Sequence, residues 1–571
     1  MQIHKSVHAV PRAPATSIFD FLLGPQSRAL QGDVNKAALI NGATGEKLSY
    51  ADLKSTTLRL ASGLSSLCSS YSTSTIFVLS RNCLLFPAIA LAASASRLSA
   101  SLADPSNTVY ELVGLLQATK AGVLVIELGL LEKALKAADK ADIARERIVV
   151  LPAAVGGKTL KAGEAKELGV KRIEDLMDGQ KEFEPIKLTE EQAKEDISYF
   201  PRSGGLDGVL KLVKISPFNV VSHVLQCTTV PGFAVEGETK LTFLPQAYAI
   251  GLYLDTYLTL HLGGTLVFFP GFDFKAILDG IQKYQAKTFA VVPGLLSLLI
   301  TSPLLDQYDL SSLRWIVIGG SAVPPPLEQG LIARLARLPH PPPLVVQAGG
   351  VGELTCVCWV PPMTAEGQRL QGKIGQLVPG LELKITKVGS EGKESVAEGE
   401  EGEAWLKGDS LSSGYLNDPK ATAATFTQDG WFRSGDLVRL FPDGSFAFTG
   451  RTKPTIKNKG LAAFPDEIEQ VIRATGLVED CAVIGVWSKE AVSELPKAFI
   501  VSKSSSTHSA AELSKLIVTA VKRDLSPHKW LAGGVEMAET IVRRKNGTVD
   551  SSKMLTKGEE QIPRHEPVAR L

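Results

Sequence analysis

A chain of 571 residues is too long for one hydrophobic core and predicts several structural units. Apolar residues make up 44% and charged residues 21%, the balance of a soluble globular enzyme. A formal net charge of +1 gives no electrostatic case for nucleic acid or an anionic membrane as partner.

The first twelve residues lack the apolar segment of a secretory signal. The chain then alternates. A helix is expected over 17–23, and two short strands at 37–40 and 47–50 flank the turn Asn41-Gly42-Ala43-Thr44-Gly45. An amphipathic helix follows over 50–67, with Leu53, Leu58, Leu60, Leu64 and Leu67 on its apolar face. A strand is predicted at 76–79. The run 84–96 is apolar but shorter than the roughly 20 residues a membrane span needs, so it reads as a buried helix. Helix 109–118, strand 123–126, helix 130–141 and strand 148–151 continue the alternation, which predicts a mostly parallel α/β sheet. Residues 156–195 are charged and poorly periodic, and read as a surface segment. Strand ends near 241–245, helix 251–262, strand 264–268, helix 274–284 and strands 288–292 and 313–318 resume the pattern. From residue 402 short strands alternate with Gly/Asp turns. From about residue 452 a small α+β unit is expected: helix 464–473, strands 481–487 and 497–501, helix 511–525 and a last strand 535–541. Of the six cysteines only Cys356 and Cys358 are close. A lone C-x-C lacks the second pair a zinc site needs, so reduced, buried thiols are expected.

One stretch carries a chemical signal of its own. Ser203-Gly204-Gly205-Leu206-Asp207-Gly208-Val209-Leu210-Lys211 follows the β-prone run 197–200. Glycines let backbone N–H groups bend around phosphate oxygens, and a lysine just after them adds charge. Leu206 and Asp207 stand where a phosphate loop would carry hydroxyl donors.

Further motifs follow in a fixed order. They are Gln347-Ala348-Gly349-Gly350-Val351-Gly352-Glu353, Gly402-Glu403-Ala404-Trp405-Leu406-Lys407-Gly408, Gly430-Trp431-Phe432-Arg433-Ser434-Gly435-Asp436, Gly450-Arg451-Thr452-Lys453 and Pro465-Asp466-Glu467-Ile468-Glu469. In that order and spacing the chain resembles the adenylate-forming superfamily, and most of all 4-coumarate-CoA-ligase-like and fungal peroxisomal acyl-CoA ligases. The resemblance implies an α/β fold. A large N-terminal domain, 1–451, would be joined by a hinge to a small, mobile α+β C-terminal domain, 452–560, with a tail at 561–571. It also implies a two-step reaction, in which a carboxylic acid becomes an acyl-adenylate and then a CoA thioester. ATP, Mg²⁺ and CoA are the implied cofactors, and a carboxylic acid or its acyl-CoA is the implied partner.

Residue roles follow from the same resemblance. Ser203, Gly205, Gly208, Lys211, Gln347, Asp436 and Arg451 would bind the nucleotide. Asp436 would take the ribose hydroxyls, because a carboxylate accepts from a vicinal diol without donating. Glu353 would hold Mg²⁺. Lys453 marks the hinge, beside Pro454. Lys457, Lys459 and Gly460 form the face used in thioester formation and CoA approach. Gly319, Gly320, Gly349 and Gly350 would leave room for the acid. Several positions depart from the family pattern. Tyr248 stands where a histidine is usual. Gly349 and Gly352 replace an aromatic and a threonine, Leu206 and Asp207 replace paired threonines, and Thr548 replaces the lysine that bridges carboxylate and α-phosphate. Lys545 and Lys553 are the nearest cations. Losing one such donor typically costs about 2.7–4 kcal/mol, roughly 10²–10³ in rate. Two functions stay open on this reading: a ligase with impaired adenylation, or a repurposed scaffold doing ATP-independent chemistry or binding alone. The final Ala569-Arg570-Leu571 resembles a peroxisomal address, which would add an import receptor as partner.

Overall fold

The computed structural model describes the whole chain except residues 1, 7, 207–208, 322, 324, 365–366, 368–369, 371, 453–454, 504–507, 544–548, 556–558 and 560–571. Two parallel sheets form the large domain. One runs Leu344–Gln347, Trp315–Ile318, Thr288–Val291, Thr239–Thr242, Thr265–Phe268, Ala37–Asn41 and Lys47–Ser49, with only the last pair antiparallel. The other runs Ser99–Ala103, Thr75–Leu79, Val123–Glu127, Ile148–Leu151 and Lys171–Arg172, all parallel. Strands such as Val123–Glu127 are buried at every residue, as sheets covered on both faces demand. Helices Tyr50–Ser70 and Leu85–Ala95 share one core cluster with strands of both sheets. A five-stranded antiparallel sheet, from His4–Lys5 to Phe446–Arg451, closes the large domain.

The C-terminal unit is a three-stranded sheet of Val478–Ser488, Ser493–Ser502 and Gly534–Met537. Helices Pro465–Ala474 and Ala510–Asp524 pack with it around Ile468, Ile472, Ile500 and Ile517. A smaller cluster of Ala482, Ile484, Phe499, Ile541 and Met554 is separate from that core. No helix among the described residues is long and apolar enough to cross a membrane.

The structure corrects the sequence at several places. The 156–195 stretch is not a bare surface segment. It folds as helices Ala162–Leu168, Ile173–Met177 and Glu190–Glu195, and buries Ile173, Leu176 and Ala193. Each of these helices is under two turns, too short for periodicity to register. The helix expected over 251–262 is π-wound from Ile250 to Tyr257, a form often found beside functional sites. The last strand ends at Met537 rather than 541, and Ile541 joins the smaller cluster instead. Ser99–Ala103 and the helix Pro217–Thr228 were missed.

Candidate active site between the two domains

The parallel strands of the larger sheet end at Thr242, Val291, Ile318 and Gln347. The segments after them carry Tyr248, Gly319–Gly320 and Gly349–Gly350, so these sequence-predicted residues meet at the carboxyl ends of parallel strands, where ligands bind in open α/β sheets.

The glycine stretch is a hairpin. Arg202–Ser203 pairs antiparallel with Lys211–Leu212, placing Lys211 opposite Ser203. Gly205 turns the chain at φ +51°, and the Lys211 side chain lies across it, 2.9 Å from where a Cβ would stand. Lys211 is buried, donates to the Val209 carbonyl at 3.3 Å, and lies 5.9 Å from the Tyr415 ring centre. Asp207 and Gly208 lie outside the described residues.

Glu353 sits in the single turn Gly352–Leu354 and is 1% exposed. Its Oε1 accepts from the Ser203 hydroxyl at 2.5 Å and from the Tyr415 hydroxyl at 2.8 Å. Among the described residues no hydrogen bond ends on Oε2. One free carboxylate oxygen, oriented through its partner, suits a magnesium ion that takes its remaining ligands from phosphate and water. Tyr415 was given no role from the sequence.

Asp436 and Arg451 face each other on paired strands, with Arg451 Nε donating to Asp436 Oδ1 at 2.8 Å. Asp436 is 3% exposed, and the Ser434 hydroxyl accepts its backbone N–H at 3.1 Å. The guanidinium fixes one carboxylate oxygen and leaves the other for a diol, so this pair fits a ribose. Gln347, assigned to the nucleotide, ends the strand Leu344–Gln347. Its amide donates to Glu328 at 2.8 Å, and burial pushes the Glu328 carboxyl up.

Tyr248 accepts from Arg202 at 3.2 Å, with the guanidinium 5.8 Å from its ring centre. Burial, with Asp104 nearby, pushes the phenol well above its usual range, so it is a neutral hydrogen-bonding group at physiological pH. Gly349 and Gly352 each leave ordinary contact distance around an added Cβ, the nearest atoms standing at 3.7 Å. Packing therefore does not dictate glycine at either. Gly350 differs, since a Cβ there would collide with the Cys356 carbonyl at 1.8 Å.

The C-terminal domain reaches this site through a second hairpin. Ile456–Asn458 pairs with Leu461–Ala463, and Lys459 and Gly460 form the tip at φ +53° and +82°, as a two-residue type I′ turn requires. The Lys459 N–H donates to Ser493 Oγ at 2.6 Å and the Lys457 N–H to Glu494 at 2.7 Å. The tip packs against the large domain, with a Cβ on Gly460 falling 2.8 Å from Val292 and one on Gly320 falling 3.3 Å from the Gly460 carbonyl. Phe464 covers Gly204. The predicted CoA-side residues thus stand at the acid-pocket glycines. Lys453, Pro454, Lys545 and Thr548 lie outside the described residues.

A buried clamp holds this domain arrangement, and nothing in the sequence reading foresaw it. Thr108 and Glu111 form a capping box on helix Val109–Thr119. The Glu111 carboxylate also accepts from Ser526 Oγ at 2.6 Å and Lys529 Nζ at 2.6 Å. Lys529 is 2% exposed and pairs with Glu467 as well. Burial raises the Glu111 carboxyl, but Lys529 and the surrounding donors outweigh it and hold the group at about 2. Neighbouring His528 is lowered to about 4 by burial and by the cations Lys529 and Arg202.

Comparison with known proteins agrees with this geometry. A model of the AMP-binding enzyme family matches residues 26–416, and one of the AMP-binding enzyme C-terminal domain matches 467–548. The acyl-CoA ligase gloD of Glarea lozoyensis is 29% identical over 381 residues, which span 65% of each chain. The acyl-CoA ligase AKT1 of Alternaria alternata is 27% identical over 542 residues, 91% of this chain and 90% of its own. The amide bond synthetase McbA of Marinactinospora thermotolerans shares the fold at a TM-score of 0.76, with 21% identity across 94% of this chain and 99% of its own. With both family domains matched and their fold reproduced, the chain belongs to the AMP-binding, adenylate-forming enzyme family.

Proposed function

We propose that this protein is an acyl- or aryl-CoA ligase in which adenylation is slow and thioester formation is well supported. One contrast carries the reading. The CoA-side tip Lys459-Gly460 is docked against Val292 and Gly320, whereas the hydroxyls expected to grip the triphosphate are absent at Leu206 and Asp207. Asp436 and Arg451 fit a ribose and Glu353 fits magnesium, so the nucleotide has a seat. What it lacks is donors along its phosphates, including the lysine replaced by Thr548. ATP, Mg²⁺ and CoA are the proposed cofactors, and a carboxylic acid is the proposed substrate. The peroxisome is the proposed location, read through Ala569-Arg570-Leu571.

A second reading is favoured by the Glu111–Lys529 clamp, which secures the CoA-side arrangement: the protein acts on a ready-made acyl-CoA without ATP. Pyrophosphate exchange and AMP release against a panel of acids separate the two. The wild type is compared with a variant carrying Leu206→Thr, Asp207→Thr and Thr548→Lys. A slow ligase shows weak, acid-dependent exchange that the variant raises about 10²–10³-fold. If the wild type already equals the variant, slow adenylation is wrong. If neither shows exchange, the ATP-independent reading stands.

A further inference from the structure

A cavity of about 50 Å³ lies on one face of the larger sheet, toward the strand ends opposite the site loops. Leu254, Leu258, Trp315, Val317 and Ala290 supply apolar wall, and Lys240 is the cation among them. The space holds several waters or the end of a ligand. Side chains alternate along a strand, so Trp315, Val317 and Gly319 share a face, as do Thr288, Ala290 and Val292 one strand over. Both rows run from the cavity to the candidate site. The first ends at Gly319, where an added Cβ would meet only the Ala348 carbonyl, at 3.5 Å. The second ends at Val292, against the Gly460 tip. Four residues of strand separate Trp315 from Gly319, about 13 Å.

Lys240 is unusual beside such an apolar wall. Its ammonium pairs with Asp255 at 2.7 Å and donates to the Leu254 carbonyl at 3.3 Å. Asp255 is fully buried and accepts from Thr242 at 2.6 Å on its other oxygen. The Lys240 side chain keeps 14% exposure. An ammonium has three donors, and Asp255 Oδ1 is held as an ion pair without a hydrogen bond, so donors remain beyond the one taken by the Leu254 carbonyl. Replacing a buried ion pair by apolar side chains is often neutral for stability, so stability alone does not explain its presence beside an apolar wall.

We propose that this cavity receives the distal end of the acid substrate, and that Lys240, held by Asp255, selects acids whose far end carries a neutral hydrogen-bond acceptor such as a hydroxyl or keto oxygen. The proposal rests on the ligase reading and names its substrate class. A second carboxylate is disfavoured. Asp255 already neutralises Lys240, and Glu238, paired with Arg314 at 2.8 Å, lines the same cavity. An end that is purely apolar leaves the ammonium desolvated and donors unmet, which sites of this kind reject strongly.

The test compares decanoate, 10-hydroxydecanoate and decanedioate in two assays on the full chain. One is AMP release with ATP, Mg²⁺ and CoA. The other is calorimetric binding of each acid without ATP. The wild type is expected to favour 10-hydroxydecanoate over both others by at least about tenfold. The double variant Lys240→Met, Asp255→Leu, checked for folding by its Tm, is expected to turn that preference toward decanoate. A wild type that prefers decanoate or decanedioate, or does not discriminate, overturns the proposal, as does a preference that survives in the folded variant. Absence of AMP release with every acid counts against the ligase reading alone, because the binding ranking still decides the pocket.

Discussion

Two hairpins meet at the candidate site, and they differ in what they keep. The one at Arg202–Ser203 and Lys211–Leu212 pairs its strands and bends at Gly205, but its Ser203 hydroxyl is engaged with Glu353 and Leu206 carries none. The one at Ile456–Asn458 and Leu461–Ala463 keeps both its backbone and its contacts, with Gly460 seated on Val292 and Gly320. Backbone shape does not by itself report a loop's ligand chemistry. Shape alone therefore does not identify a phosphate site, whereas the second tip is fixed by its contacts with the other domain.

The contrast breaks first at the clamp. Lys529 bridges Glu111 and Glu467 while almost wholly buried, so Lys529→Ala leaves two carboxylates without their cation. Removing one partner of a buried pair costs about 3–5 kcal/mol. The expected result is a C-terminal domain released from this arrangement, read as a larger radius of gyration in small-angle scattering and as faster cleavage between the domains. An unchanged scattering profile would show that the Gly460 contacts suffice to hold the domain.

A smaller effect is expected at the tip itself. Gly460 adopts φ +82°, where a Cβ is strained and would press on Val292. Gly460→Ala should cost about 1–3 kcal/mol in this docked state. Thioester formation from a supplied acyl-adenylate should fall at least tenfold while pyrophosphate exchange holds. Adding Val292→Ala should restore part of the loss by removing the clash. Equal loss in both half-reactions would place the tip's role in general folding.

What was legible in the sequence follows from the same physics. Val123–Glu127 announces itself because a strand buried on both faces is a run of β-branched and aliphatic residues. Ser99–Ala103, built from small residues of weak strand propensity, does not, and it forms because parallel neighbours receive it. The motif glycines, Asp436 and Glu353 were reached through the resemblance their motifs carry, and the structure brings Ser203 to Glu353 and Gly460 to Gly320. The clamp was hidden, since Glu111 and Lys529 are 418 residues apart and each alone resembles a surface charge. Its one local sign was the T-x-x-E cap at Thr108–Glu111. Asp255 gave a similar sign, as the only acid in the apolar run 249–262, but its partner in a strand could not be read from spacing.

The finest comparison is in pH, because the clamp carries two titrating groups that lose hold in different windows. His528 is lowered to about 4 from an ordinary 6.5, so the docked state binds fewer protons than the free one across that interval. Docking should therefore weaken as pH falls from 6.5 towards 4. Glu111 is held at about 2 against an ordinary 4.5. Its contribution is complete above 4.5 and disappears as pH falls through 2. The expected titration of interdomain distance, followed by energy transfer between labels on the two domains, thus has one limb beginning below 6.5 and a second, of similar slope, beginning below 4.5. Glu111→Gln should abolish the lower limb and keep the upper. Release beginning at 6.5 would mark His528 and its cationic neighbours. A flat response down to pH 4.5 would show that His528 titrates alike whether or not the domains are docked.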